Sequence, residues 1–582
     1  MTLRLPFIIC FLLLVTFGLY YPVVFAPFNS VDDWNMLESL INAGDISLLD
    51  LLFPNGKGYY YRPLLYYTFV LDRDLWGMQE SIMHFENIAL HGFNTVLLFF
   101  VVSTLVKLTT GRQDRIVPFM ASLFFAIHPI NTEAVNWISG RTDVLAGSFV
   151  LLALLGLFSG IERNRSDLIV FASFSYLLAC FCKETAVFFV PGAMLILFAR
   201  HSANDGWLRA FKEWRRYLYA GYFLAATTVY FAIRYLALSG GDSGVKTALK
   251  GTVGSEANIL YNTKVFLKVL GFYAKKSVIP WPQSFAIVSV SDFYVVAGIL
   301  LVVFCIFLLI RRDILSAVTL AGVGLASAAL LVVMSRLAWT PIAERYLYLP
   351  CIAFCIAGSV ASRAILTKIQ TNRVAGVIFV TVLTAVAWST VSRNIIWQDN
   401  LALFTDTVRK APDFPPARNE LALALNAQGR TREAKDLFKN NHLEASLKNR
   451  EYGVLNAAGS LASDGKLDEA HRMLAENLDR RSKHYVAILK KIVEVNERRI
   501  SSAGSPDELE SIRRENVEHL IELHKTTEDP FYYYRIGQAY LALKDNVSAR
   551  SYFILAADKS PEGAYYREPA RKLARNLGAL KQ

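Results

Sequence analysis

The sequence predicts an all-α, polytopic membrane protein with a helical solenoid at its C-terminal end. Three observations carry that prediction. Hydrophobic residues fill 54% of 582 positions and aromatics 13%; the mean hydropathy is +0.33; and apolar stretches of spanning length recur until about Trp397, where hydropathy collapses. A purely soluble domain of this length would not be so apolar. The formal charge of +12 says little by itself, because Lys and Arg serve as topology determinants and no nucleic-acid-binding pattern accompanies them.

The first apolar stretch, 5–27, is too long for the core of a cleaved signal peptide and lacks a small-residue cleavage site, so it reads as a retained first span. Further stretches fall at 84–106, 116–138, 144–161, 168–182, 185–199, 217–238, 293–310, 314–334, 346–362 and 374–392, giving about eleven spans in all. Basic residues mark alternate loops: Lys107, Arg112 and Arg115; Arg163 and Arg165; Arg200 to Arg216; Arg311 and Arg312; Arg363 to Arg373. By the positive-inside rule these loops and the N-terminus are cytoplasmic, and an odd number of spans exports everything after Ser392. The stretch 258–279 is apolar, but Lys264, Lys268, Lys275 and Lys276 make a span expensive, so it reads as an amphipathic helix on the outer surface. The expected division is a membrane domain 1–396, with outer loops 29–82 and 239–291, and a repeat domain 397–582.

The tail has a repeat near 34 residues, the tetratricopeptide spacing. Leu421, Ala422, Leu425, Gly429, Ala434 and Phe438 mark one unit. Ala457, Ala458, Leu461, Gly465 and Ala470 mark a second, and Ile536, Gly537, Tyr540, Ala549, Phe553, Ala556 and Pro561 a third. Small residues let paired helices approach, while the large ones fill the groove between pairs. Segment 483–525 is helical in pattern but breaks the period. All six cysteines lie in apolar segments and read as packing residues; Cys180-x-Cys182 lacks the spacing of a redox pair.

Counting loops alternately puts every polar cluster on one side of the membrane: Asp32-Asp33, Tyr61-Arg62-Pro63, His84 to Asn94, His128 to Asp143, Lys183-Glu184 and Glu344-Arg345-Tyr346. A charge near hydrocarbon costs roughly 2.5–3.5 kcal/mol even on the lenient insertion scale, so this one-sidedness points to a built site. Asp32 and Asp33 could be a base, a metal ligand or a solvated cap. The Tyr59-Tyr60-Tyr61-Arg62 run offers stacking faces and a guanidinium fork, or an interfacial aromatic belt. His84, Asn87, His91 and Asn94 share one helical stripe, which lines a polar cavity or bonds to neighbouring helices; His84 and His91 are also candidate metal ligands. After His128, Glu133, Arg141 and Asp143 bring both charge signs together, with Arg141 a phosphate fork or half of a bracing pair. Lys183-Glu184 and Glu344-Arg345 each place a cation at the lip of a span, able to hold phosphate or simply to snorkel.

Taken together, Val31-Asp32-Asp33, Tyr61-Arg62-Pro63-Leu64, His84-x-x-Asn87-x-x-x-His91-x-x-Asn94, Ala126-Ile127-His128-Pro129-x-x-Thr132-Glu133, Gly140-Arg141-x-Asp143, Lys183-Glu184 and Ala343-Glu344-Arg345-Tyr346-Leu347-Tyr348-Leu349-Pro350, followed by Trp397 and the repeats, resemble the transmembrane and tetratricopeptide-repeat O-mannosyltransferases and their bacterial relatives. The resemblance implies a GT-C membrane fold and transfer of a sugar, mannose or another hexose, with inversion, from a polyprenyl-phosphate donor to a Ser or Thr hydroxyl of a protein outside the cytoplasm. It carries the base role to Asp32, with Asp33 second. Donor phosphate and sugar contacts fall to Tyr61, Arg62, His84, Asn87, His91, His128, Glu133, Arg141, Asp143, Lys183, Glu184, Glu344 and Arg345. No cofactor follows, and participation of a divalent cation stays open. Expected partners are the lipid-linked donor, a protein or glycan acceptor held by the repeats, and the bilayer, with no nucleic acid. The expected location is a bacterial cytoplasmic membrane with a periplasmic tail, or the endoplasmic-reticulum membrane in a eukaryote. The competing class is a non-enzymatic scaffold whose repeats recruit envelope or secretion partners and whose polar clusters only brace helices.

Overall fold

The computed structural model describes residues 4–33, 46–54, 61–199, 212–238, 259–330, 342–369, 373–440 and, with short breaks, 454–579, besides a few isolated positions. Among the described residues there is no β-strand, only an isolated bridge between Ile287 and Ile342. The chain divides into two compact units, the first made of 1–34 and 47–411, the second of 35–46 and 412–582. The first thus continues past the drop in hydropathy at Trp397, because the buried ion pair Arg393–Asp406, at 2.7 Å, ties helix Asn400–Lys410 back onto the end of helix Arg373–Trp397.

All eleven stretches expected to span carry helix. Among the described residues, six helices are long and apolar enough to cross a membrane: Leu5–Phe25, Glu80–Thr110, Ile138–Arg163, Trp214–Leu238, Tyr294–Arg311 and Gly376–Trp397. Ile116–Ile127, Ser166–Cys182, Glu184–Phe198 and Ile314–Ser327 are shorter. The shortfall has local causes. Helix Ile116–Ile127 stops where His128 precedes Pro129 and turns extended, with φ −73 and ψ 120, because proline excludes the helical region for the residue before it. Lys183 likewise turns extended, with φ −153 and ψ 126, after Ser166–Cys182. At these breaks short 3-10 turns appear: Pro129–Asn131, Ile138–Gly140, Glu184–Phe188 and Glu344–Leu347. Three of the six polar clusters singled out in the sequence, His128 to Asp143, Lys183-Glu184 and Glu344-Arg345-Tyr346, lie on or beside them. Irregular backbone in an apolar bundle persists only where protein or a water-filled cavity satisfies it.

Helix Ile259–Val278, expected to be amphipathic, sets some of its lysines against acidic partners. It crosses Tyr294–Arg311 at two glycines, where an added Cβ on Gly271 would lie 2.2 Å from the Tyr294 carbonyl oxygen and one on Gly298 2.0 Å from that of Leu267. Only glycine permits that approach. Lys264 and Lys268 pair with Asp292; Lys276 turns inward, buried, to Glu344 at 2.6 Å. All six cysteines are free thiols, four of them buried, in keeping with a packing role.

The second unit is built of helical pairs. Thr431–Asn440 follows Pro415–Ala427 through a turn at Gly429, whose φ of +77 an L side chain rarely adopts. Phe531–Ala542 pairs with Asn546–Lys559, and Phe553 lies over Gly537, where a Cβ would stand 2.7 Å from its ring. Ala422, Ala458, Ala470, Ala549 and Ala556 are fully buried, as close pairing requires. The irregular middle is resolved as two longer helices, Tyr485–Ser502 of 18 residues and Pro506–Thr527 of 22. Ser505 caps the second, with Pro506 at its first position.

Candidate active site

The two adjacent carboxylates have different fates. Asp33 is wholly buried and accepts three hydrogen bonds, from the Asn29 amide at 2.9 Å, the Ser139 amide at 3.1 Å and the Ser139 hydroxyl at 2.5 Å. It thereby fastens the loop after the first span to the turn Ile138–Gly140. Burial outweighs these bonds and pushes its pKa up to about 6. Asp32 stays open to solvent and accepts no hydrogen bond from any described residue, yet protein closes around it enough to raise its pKa. Two guanidiniums, Arg345 and Arg62, oppose that rise. A solvent-reached carboxylate in crowded surroundings sits in a recess.

Four cation–carboxylate pairs collect residues from distant stretches of sequence. Arg62 grips Glu184 bidentately, at 2.8 and 2.6 Å. Lys183 pairs with Asp143, Arg345 with Glu133 at 2.5 Å, and Lys276 with Glu344 at 2.6 Å. Glu133 also accepts the backbone amide of Glu344 at 3.0 Å, locking the short turn Thr132–Asn136 to Glu344–Leu347. Tyr346 joins two pairs: the Lys183 ammonium lies 5.3 Å from its ring and the Arg345 guanidinium 4.8 Å, with Trp137 at 5.0 Å on Arg345 as well. The charges of Arg62 and Arg345 both act on Lys183. Tyr66 completes the group, within electrostatic reach of Arg62, Asp32 and Glu184.

The polar stripe bonds to neighbouring helices. Asn87 donates to the Trp137 carbonyl at 2.9 Å, and Asn94 to the Val144 carbonyl at 2.8 Å and the Tyr348 hydroxyl at 3.0 Å. His91 meets the Tyr348 hydroxyl at 2.9 Å through Nδ1 and lies against the rings of Tyr20, Phe125 and Tyr348. His84 is buried against the backbone of Ala26, Pro27 and Asn136, and neither ring nitrogen makes a well-formed hydrogen bond among the described residues. Tyr61 is buried and donates to the Leu52 carbonyl at 2.9 Å; Tyr59 and Tyr60 lie outside the described residues. His128 uses Nδ1 to cap the turn it opens, accepting from the Ile130 amide at 3.2 Å.

Arg141 requires a correction, because it is no free phosphate fork. Its guanidinium is buried and every donor has a protein acceptor: Nε reaches Asn87 at 2.9 Å, one terminal nitrogen reaches Asp72 at 2.6 Å and Thr68 at 3.4 Å, the other Glu86 at 2.8 Å and the Met83 carbonyl at 3.3 Å. It braces the packing of Pro63–Trp76 against Glu80–Thr110. Asp72, Glu86, Tyr66, Ser139 and Lys276 are the residues that sequence reasoning missed. For Lys276 a signal existed, since a lysine beside Lys275 at the end of an apolar helix needs a partner. For Asp72 there was none, its acceptor role depending on a fold contact with Arg141.

The arrangement offers one carboxylate, Asp32, that accepts no hydrogen bond from any described residue and can take a proton, within electrostatic reach of Arg62 and Arg345, whose charges also act on Lys183. Comparison with known proteins shows a resemblance of the same kind as the motifs. The chain is 37% identical over 136 residues to human protein O-mannosyl-transferase TMTC1, covering 23% of this chain and 14% of that protein. It is 41% identical over 105 residues to human protein O-mannosyl-transferase TMTC2, 18% of this chain and 12% of that protein. A Caenorhabditis elegans protein O-mannosyl-transferase aligns over 399 residues at 24% identity, 65% of this chain and 53% of that one. The chain therefore spans about half of the nematode relative's length and far less of the human proteins. No family model matches it.

Proposed function

We propose that the first unit is a multi-pass membrane glycosyltransferase of the GT-C class, moving mannose or another hexose from a polyprenyl-phosphate donor to a Ser or Thr hydroxyl of a protein. Asp32 takes the hydroxyl proton as the oxygen attacks the anomeric carbon. The phosphate leaves from the opposite face, its charge offset by Lys183, Arg345 and Arg62. One displacement inverts the anomeric centre, so no carboxylate–sugar intermediate forms. The donor's isoprenoid tail keeps its head at the lip of the bilayer, on the extracytoplasmic side by the positive-inside reading. The second unit, read as tetratricopeptide repeats, holds the acceptor. We assign the protein to a bacterial cytoplasmic membrane, its N-terminus cytoplasmic and its repeats periplasmic.

One observation carries the reading: of two adjacent aspartates, Asp33 is spent on holding the loop while Asp32 is left without a hydrogen bond, in a recess flanked by Arg62 and Arg345. The names of the relatives support transfer to protein. A scaffold whose polar groups only brace helices accounts for Arg141, Asn87, His91 and Asn94, but gives Asp32 no task. The test incubates purified protein with radiolabelled polyprenyl-phosphate sugars and a hydroxyl acceptor. Asp32→Asn should slow transfer by about 10²–10⁴-fold, with the unfolding temperature unchanged. A wild-type rate from that variant removes the base assignment, and no donor consumption by the wild-type protein removes the activity.

A further inference from the structure

The second unit contains a cluster that the proposed transferase chemistry does not use. Glu515 and His519 stand one turn apart on the same face of helix Pro506–Thr527, and His471 reaches them from helix Leu467–Glu476. The Nε2 atoms of His471 and His519 lie 2.7 and 3.6 Å from the same oxygen of Glu515. All three donor atoms fall within 4.8 Å of one another. Bonds of about 2.0–2.1 Å in a tetrahedral zinc site put neighbouring donors roughly 3.3 Å apart, so small side-chain rotations close these three onto one ion.

Two further features point to a ligand rather than to a simple hydrogen-bonded trio. His471 Nε2 is buried and, apart from its 2.7 Å approach to Glu515, has no hydrogen-bond partner among the described residues. The far oxygen of Glu515 faces Arg499 at 3.4 Å, while Arg499 is itself anchored by Asp468 at 2.8 Å and Asn496 at 2.9 Å. That is how an outer partner orients a ligating carboxylate, leaving its near oxygen to the histidines. Side-chain exposures of 15% for His471, 35% for Glu515 and 21% for His519 leave the cluster a path to solvent and room for a water as fourth ligand.

We infer that His471, Glu515 and His519 bind one divalent transition-metal ion of the zinc class. Two imidazoles and a carboxylate suit borderline cations over calcium or magnesium, which prefer an all-oxygen shell. The ion clips helix Leu467–Glu476 to helix Pro506–Thr527, fixing the part of the solenoid where the repeat is irregular.

The test uses the full chain, purified in detergent through a tag without histidine, stripped with a chelator and titrated with Co²⁺ and then Zn²⁺. Wild-type protein should develop visible ligand-field bands at one equivalent of Co²⁺, lose them to Zn²⁺, and unfold at a higher temperature with Zn²⁺ present. His471→Gln and His519→Gln should each weaken binding at least tenfold and abolish the thermal shift. Glu515→Gln, which keeps the side-chain shape, should do the same while the far-ultraviolet helical signal is retained. Equal metal uptake by wild-type and variant proteins, or no Co²⁺ bands in the wild type, overturns the site. Sugar transfer enters neither readout, so the outcome is independent of the function proposed for the first unit.

Discussion

Replacing Arg141 by Met separates packing from chemistry, because the structure assigns this guanidinium wholly to packing. Arg141→Met keeps much of the side-chain volume and removes five donors. Asp72, with 4% of its side chain exposed and 2.6 Å from the guanidinium, loses its countercharge in a place water does not reach. Breaking a buried pair in this way costs about 3–5 kcal/mol, most of it the uncompensated charge left behind. Glu86, at 29% exposure, can turn to solvent and adds little. At about 2 °C per kcal/mol, the low end suited to a large unit, the unfolding temperature should fall by about 6–10 °C. Arg141→Met combined with Asp72→Asn should recover about half of that loss, since a neutral amide is cheaper to bury than a carboxylate. The assay is thermal unfolding in detergent, followed by loss of the monodisperse species, with sugar transfer measured on the fraction that remains folded. An unfolding temperature within a degree of wild type, together with lost donor binding, would falsify the packing assignment and restore Arg141 as a phosphate contact.

Asp33 should make stability depend on pH. Its folded-state pKa of about 6 lies above the ordinary aspartate value of 3.8, so the folded protein holds a proton that the unfolded chain has lost, and stability present below about pH 4 is lost as pH rises through 6. The shift corresponds to about 3 kcal/mol. Asp33→Asn does not titrate there, so its stability relative to wild type should improve by that amount between pH 4 and pH 7; parallel unfolding curves would refute the buried titration. Gly147→Ala would bring a Cβ to 2.7 Å from the Tyr348 ring and 3.3 Å from the Asn94 amide. Because Tyr348 is buried and bonded to His91 and Asn94, it cannot swing clear, and the variant should lose about 1–3 kcal/mol; an unchanged unfolding midpoint would show that the ring gives way.

Periodicity and hydropathy made the helices legible, since every apolar stretch carries one. Their lengths were less so. At 116–138 the average hydropathy hides the break at His128-Pro129, although the proline is visible in the sequence. Among the site residues, the clusters were legible because charges in an apolar chain stand out. Their pairing was not. Arg62 with Glu184 and Lys276 with Glu344 are contacts between distant segments, and a single sequence records neither partner. The division of labour within Asp32-Asp33 was likewise hidden, for it depends on Ser139 reaching one carboxylate and not the other.

The ion pairs bear on how the proposed donor would be held. Arg62, Lys183 and Arg345 each already face a carboxylate, so the recess is nearly neutral before Asp32 is counted and carries no strong surplus to attract a phosphate from afar. Their value is preorganisation. Lys183 spends one of three N–H groups on Asp143, and Tyr346 holds its ammonium near the Arg345 guanidinium without neutralising either. A phosphate arriving beside them meets cations that need not reorganise, in surroundings where each hydrogen bond is stronger than in water. The same near-neutrality protects Asp32. A larger positive surplus would pull its pKa down and make it a poorer base, whereas here burial outweighs both guanidiniums and leaves the carboxylate more basic than a free aspartate.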